Sequence, residues 1–126
     1  MTDPLDRLRV LCLALPEVTE KVSADVRSAS SAQHGEPTWF VRKTFVMYAD
    51  RHHDDRVAFW CAAPAGVQEE LVTTAPTRFF RPPYVGGRGW LGVYLDVDDV
   101  DWDEIGEIVL DAYRVIAPRK LTALLD

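Results

Sequence analysis

Residues 90–118 read WLGVYLDVDDVDWDEIGEIVLDAYRVIAP, and two successive periodicities in this stretch decide the fold class. From Trp90 to Asp96 the side chains alternate with period two, which predicts a strand. From Asp101 onward the apolar residues recur at helical spacing and form one stripe. The members of the stripe are Ile105, Ile108, Val109, Ala112, Tyr113 and Ile116. A strand followed by an amphipathic helix predicts a helix packed on a sheet.

The ends of this last helix are marked by local signals. Asp101 is a good N-cap, and Glu104 stands three residues later in a capping-box arrangement. Pro118 ends the helix because proline cannot continue it. A further apolar turn is predicted by Leu121, Leu124 and Leu125.

Two more helices are predicted upstream of this region. The first begins at Asp3, with Pro4 at its first helical position, and ends at Pro16. The second lies between Pro64 and Pro76. Its inward-facing residues are predicted to be Val67, Leu71 and Val72.

Short runs of β-branched and aromatic residues predict the strands. In chain order they are residues 20–24, 38–41, 44–48, 56–61, 77–81 and 90–96. The second and third runs are read either as two strands or as one bent strand. The polar tip at 50–55 predicts a hairpin, and the Ser-, Gly- and Pro-containing segment 27–37 predicts an internal loop. The order of elements predicts one α+β domain over residues 1–126, with helices packed on an antiparallel sheet.

Composition restricts the class of protein. The chain has 126 residues, of which 48% are hydrophobic and 27% charged, with a formal net charge of −6. The acidic balance argues against a protein that coats nucleic acid non-specifically, and no apolar run is long enough to span a membrane. Cys12 and Cys61 lie in apolar runs and predict buried thiols rather than a disulfide framework. With no signal-peptide pattern at the start, a cytoplasmic protein is expected.

The titratable residues do not form a recognisable catalytic or metal-binding set. The histidines His34, His52 and His53 lie in polar, loop-like segments, and no nucleophile motif accompanies them. His52 and His53 are adjacent, so on a strand they would point to opposite faces; they are predicted to occupy an exposed hairpin tip without a structural metal. The acidic run from Asp99 to Asp103 lacks the glycine and glutamate of a calcium-binding loop. We therefore expect neither catalysis nor a cofactor.

Charge is distributed unevenly along the chain. Residues 37–95 contain seven basic and five acidic residues, a balance of +2, whereas residues 96–126 contain three and nine, a balance of −6. Within 78–90, arginines alternate with aromatic residues, a mixture that can pair phosphates and stack bases. The alternative is that the aromatic residues are core and the arginines a solvated rim. Likewise, the three glycines in 86–89 predict either a tight turn or an anion-binding nest of N–H groups.

The sequence resembles the MmcQ/YjbR family of small bacterial proteins. The resemblance is carried by CLALPEVTEK (12–21), HGEPTWFVRKTFVMY (34–48), VAFW (57–60), RFFRPPYVGGRGWLGVYLD (78–96) and WDEIGEIVLDAYRVIAPRKL (102–121). It implies an α-β(3)-α-β(2)-α fold whose curved antiparallel sheet packs against helices, with a topology like that of secretion chaperones. It also implies a double-wing likeness to DNA-binding domains.

Two functions remain open at this point. The first is a DNA-binding or regulatory domain whose basic strand region contacts phosphates. The second is a module that binds a protein or a small ligand on the concave sheet face and the 78–90 segment. The residues predicted to bind are Arg42, Lys43, Arg78, Arg81, Tyr84, Arg88 and Trp90.

Overall fold

The computed structural model describes residues 3–23, 36–50, 56–83 and 85–125. The helices are α1 (Pro4–Leu13), α2 (Val67–Thr74), α3 (Trp102–Ile116) and α4 (Arg119–Thr122). The strands are β1 (Thr19–Ser23), β2 (Glu36–Val41), β3 (Lys43–Asp50), β4 (Val57–Cys61), β5 (Phe79–Phe80) and β6 (Leu91–Tyr94). Short 3₁₀ helices occupy Gly86–Arg88 and Ala123–Leu125. The predicted α+β class is confirmed.

The six strands form one antiparallel sheet in the order β1-β2-β3-β4-β6-β5. Residues 36–50 form two strands rather than one bent strand, because Arg42 adopts a left-handed conformation (φ 71°) that interrupts the extended chain. The first group therefore contains four strands, one more than the order implied by the family resemblance. The predicted hairpin is present as the β3–β4 pair, and its tip at 51–55, with His52 and His53, lies outside the described residues. His34 and the loop at 27–35 also lie outside them.

A β-bulge in β3 lies where α3 packs on the sheet. Trp39 pairs with Val46 and Phe40 pairs with Thr44, so Phe45 is an extra residue in the ladder. Phe45 and Val46 are both fully buried. The Phe45 ring meets the ring of Tyr113 in α3 edge to face, with centroids 5.8 Å apart. This contact places the C-terminal half of α3 over the beginning of β3.

α1 lies on the same side of the sheet as α3. Glu20 in β1 accepts hydrogen bonds from Trp39 Nε1 (2.9 Å) and from Arg9 Nε of α1 (2.8 Å). The Tyr113 hydroxyl donates to the carbonyl oxygen of Pro16, just after α1 (2.8 Å). Part of the core therefore lies between these two helices and one face of the sheet.

The local signals at α3 act as predicted. Asp101 Oδ1 accepts a hydrogen bond from the Glu104 N–H (3.1 Å), which confirms the N-cap. The residues of the apolar stripe are buried or pack partly buried against the core. The Glu104 side chain forms an ion pair with Arg78 of the neighbouring turn. Leu121 is buried, but Leu124 is 68% exposed, so the apolar turn predicted after Pro118 is only partly correct.

The second helix differs from its prediction in both its start and its buried face. Gly66 has φ 87°, outside the helical region, so α2 begins at Val67 rather than at Pro64. Val67, Leu71 and Val72 are only partly buried, whereas Gln68 is buried. The reason is that the Gln68 amide finds carbonyl partners in a loop distant in sequence, as described below.

Both cysteines are buried, as predicted, and both are free thiols. Burial raises the pKa of each thiol above its ordinary value, because a thiolate loses its hydration in the core. Among the described residues, no helix is long and apolar enough to cross a membrane.

Candidate functional site

The strand register brings four of the predicted binding residues to one end of the sheet. Val46 of β3 pairs with Cys61 of β4, and Cys61 pairs with Leu91 of β6, so the start of β3, the end of β4 and the start of β6 lie side by side. Phe80 pairs with Gly92, which adds the end of β5 to this row. We call this the basic end of the sheet. Its members are Arg42, Lys43, Arg81 and Arg88.

Each of the four basic side chains reaches solvent. Arg42 lies in the turn between β2 and β3 and Lys43 begins β3; both are exposed. Arg81 follows β5 and Arg88 is the last residue of the 3₁₀ helix between β5 and β6; both are exposed as well. From β3 to β5 is three inter-strand steps, so the two pairs are separated by about 14 Å of sheet at about 4.8 Å per step.

The loop that carries Arg81 and Arg88 is held by a buried side chain of α2. Gln68 Nε2 donates to the carbonyl oxygen of Gly86 (2.8 Å) and to that of Trp90. Within the loop, the N–H of Arg88 donates to Val85 O, the N–H of Gly89 donates to Gly86 O (both 3.0 Å), and Gly89 has φ 87°. The three glycines thus serve a tight turn, which was one of the two alternatives.

Each arginine of the loop has its own contact: Arg81 packs on the loop backbone, and Arg88 lies beside the Trp90 ring. A Cβ atom at Gly86 would lie 2.6 Å from Arg81 Cγ, so the aliphatic part of Arg81 packs on the glycine backbone. The Arg88 guanidinium lies 5.7 Å from the Trp90 ring centroid. Trp90 itself is 5% exposed and belongs to the core, as the alternative interpretation of the aromatic residues holds. Tyr84 lies outside the described residues.

Arg78 is separated from the basic end. It stands at the start of β5, where its carbonyl oxygen accepts the Tyr94 N–H (3.0 Å) and its guanidinium pairs with Glu104 in the first turn of α3. Its guanidinium also lies 5.0 Å from the Phe79 ring centroid. The structure therefore does not group Arg78 with the four members of the basic end, and its charge is already paired.

The opposite end of the sheet is acidic. Here β6 ends, the chain turns and α3 begins, and the aspartates of this segment are exposed. They are Asp96, Asp98, Asp99, Asp101 and Asp103. The uneven distribution of charge along the sequence is thus also a distribution in space: the four basic residues lie at one end of the strands and these aspartates lie at the other. At the basic end the acidic residues Glu69 and Glu70 of α2 are also exposed.

A stack on the sheet face away from α1 and α3 escaped the sequence interpretation. Tyr94 lies between the Phe80 ring (centroids 4.6 Å apart, 27° between planes) and the Arg56 guanidinium (3.8 Å). Arg56 donates from both Nε and Nη2 to the Asp96 carboxylate. These hydrogen bonds lower the pKa of Asp96. The stack requires the pairing of β6 with β4 and β5, and no local sequence pattern predicts that pairing.

A cavity of about 520 Å³ opens near the acidic end, between the start of α1 and the start of α3. It is lined by Arg7, Val10, Leu11 and Trp102. The Arg7 guanidinium lies 4.7 Å from the Trp102 ring centroid. None of the predicted binding residues that the structure describes lines this cavity.

Comparisons with known proteins agree on the fold. A family model described as YjbR matches residues 13–115. The structure is similar to the crystal structure of Deinococcus radiodurans protein DR2400, whose domain is described as DUF419. The two align with a TM-score of 0.69 and 18% sequence identity over 99% of this chain and 91% of that one, a likeness that shows the fold alone. No curated protein matches the sequence.

Proposed function

This chain belongs to the YjbR family, and from that premise and the charge on its sheet we propose that it is a DNA-binding domain without catalytic activity. The observation that carries the proposal is the segregation of charge between the basic end and the acidic end. Duplex DNA presents a dense row of phosphates, to which exposed arginine and lysine side chains bind by charge-assisted hydrogen bonds. The basic end supplies four such side chains, two at the start of β3 and two in the segment between β5 and β6.

The acidic net charge is compatible with this function because of where the acid lies. A net charge of −6 opposes binding to DNA when it is averaged over the molecule. The exposed aspartates, however, lie at the far end of the strands, beyond the Debye length of about 8 Å at physiological ionic strength. Their effect is to orient the domain, because a phosphate backbone repels the acidic end and attracts the four basic side chains of the basic end.

Salt dependence tests the proposal. Four phosphate contacts predict a slope of about −3.6 in log K against log[salt], which is a loss of about 150-fold in affinity between 50 and 200 mM salt. The measurement is fluorescence anisotropy of a labelled duplex of mixed sequence, titrated with the full chain at several salt concentrations. Binding that is absent at 50 mM salt, or that does not respond to salt, contradicts the proposal. Salt-independent capture of a small molecule would instead fit the ligand-binding module.

Matched variants locate the surface. Arg81→Gln/Arg88→Gln removes two of the four contacts, so the slope should fall to about −1.8. Arg7→Gln/Lys21→Gln removes the same charge from exposed positions outside the basic end and should keep the slope of the unmodified chain. Equal slopes for the two double variants would show that the basic end is not the contact surface.

A further inference from the structure

Gln68 occupies a position unusual for a glutamine. Its amide side chain is buried, with 8% of the residue exposed. Burying an amide is unfavourable unless its hydrogen-bonding groups find partners. Both hydrogens of this amide are used, because Nε2 donates to Gly86 O and to Trp90 O.

The two carbonyls that Gln68 holds bracket the loop of the basic end. Gly86 is the residue on which the Arg81 side chain packs. Trp90 is the residue whose ring lies beside the Arg88 guanidinium. One buried amide thus fixes the backbone beneath both arginines.

We infer that Gln68 is a positioning residue for the DNA-binding surface: it orders the 85–90 loop so that Arg81 and Arg88 are presented together to phosphates. The inference rests on the proposed function. Gln68 is too deeply buried to contact DNA, so it acts only through the two arginines. Pre-ordering of the loop lowers the entropy that binding would otherwise cost.

Two substitutions separate hydrogen bonding from packing. Gln68→Met keeps the length of the side chain and removes both donors. Gln68→Glu keeps its shape and places a carboxylate, which only accepts hydrogen bonds, against two carbonyl oxygens. If donation is what orders the loop, neither variant should retain the order, although Glu fills the same space. Urea denaturation of each variant shows whether it folds. If Gln68→Glu does not fold, Gln68→Met alone tests the role of the hydrogen bonds.

Order in the loop is read from hydrogen exchange. The N–H groups of Arg88, Gly89 and Trp90 donate to Val85 O and Gly86 O within the loop. In the Gln68 variants these amides should exchange at least tenfold faster, while amides of the β3–β4 ladder keep their rates. Unchanged exchange at 88–90 would overturn the inference.

Binding to DNA gives the second readout, through non-additivity. Gln68→Met should reduce the salt slope from about −3.6 toward −1.8. The loss of affinity between 50 and 200 mM salt would then fall from about 150-fold toward about 12-fold. In the Arg81→Gln/Arg88→Gln background the same substitution should leave the slope unchanged, since the groups it positions are gone. An equal loss in both backgrounds would show a general structural effect and would overturn the positioning role.

The two proposals fail in distinguishable ways. If the unmodified chain shows no salt-dependent binding to duplex DNA, the proposed function fails, and faster exchange at 88–90 in Gln68→Met still supports the ordering of the loop. If the unmodified chain binds as expected and Gln68→Met binds with the same slope, the DNA-binding surface stands and the role of Gln68 is wrong.

Discussion

Gly92 offers a strict test of packing on the sheet face away from α1 and α3. A Cβ atom at this position would lie 2.4–2.6 Å from three atoms of the Phe80 ring. Ordinary contacts begin about 1 Å farther out, so Gly92→Ala must displace the ring that stacks on Tyr94. Overpacking of this kind costs about 1–3 kcal/mol, and loss of the stack adds about 0.5–1.5 kcal/mol. Alanine recovers about 0.5–1 kcal/mol relative to glycine in a strand, which leaves a net destabilisation of about 2 kcal/mol.

Urea denaturation of four chains measures this effect. With a slope of about 2 kcal/mol per M for a chain of this size, Gly92→Ala should lower the midpoint by about 1 M. In the Phe80→Ala background the added methyl group meets no ring, so the same change should cost nothing or stabilise slightly. The expected coupling free energy between the two positions is therefore about 2–3 kcal/mol.

A second glycine provides the matched control. Unlike Gly92, Gly66 has open space around it, with no heavy atom within 4 Å of a built Cβ, but its φ of 87° is strained for alanine. Gly66→Ala should cost about 1 kcal/mol for backbone reasons alone, and it should cost the same whether or not Phe80 is present. If Gly92→Ala behaves in the same way, with equal cost in both backgrounds, contact with the Phe80 ring is not the cause and the reasoning is refuted.

Three further predictions concern stability and thiol chemistry. Asp101→Ala removes the N-cap of α3 and should cost about 1 kcal/mol in urea denaturation; an unchanged midpoint would contradict the cap. Because Arg56 lowers the pKa of Asp96 below the unfolded value of 3.8, the carboxylate contributes stability above that pH and loses it as pH falls through the folded pKa. Asp96→Asn should therefore be less stable than the unmodified chain at pH 7, with the difference shrinking below pH 3.8; a difference that is constant with pH would contradict this. Cys12 and Cys61 should not react with a thiol reagent such as Ellman's reagent in the native protein and should both react in denaturant, and rapid native reaction would show that the thiols are accessible.

Some parts of the fold could be predicted because their causes lie within a few residues of one another. The cap at Asp101, the apolar stripe of α3 and the alternation in β6 depend on interactions between neighbours in sequence. Pro4 and Asp3 fix the start of α1 in the same way. Such signals survive any tertiary arrangement, so the sequence alone specified these elements and the α+β class.

The candidate site shows where this local information ends. The sequence placed Arg78, Arg81 and Arg88 in one aromatic-rich segment, but the register of β5 against β6 puts Arg78 and Arg81 at opposite ends of the sheet. Arg42, distant in sequence, lies at the same end as Arg81. Strand pairing, and not position in the chain, decides which charges act together.

Gln68 is the clearest case of a feature that the tertiary structure decides and the local sequence does not. On a helix next to Glu69 and Glu70 it has the sequence signature of a solvent-exposed residue, and the sequence instead predicts burial of the apolar Val67, Leu71 and Val72. Its burial depends on carbonyl groups 18 and 22 residues away, which become available only when the 85–90 loop closes against α2. A buried polar group is stable only where the complete fold supplies its partners, so the sequence determined the elements and the tertiary structure alone decided which polar side chain could be placed among them.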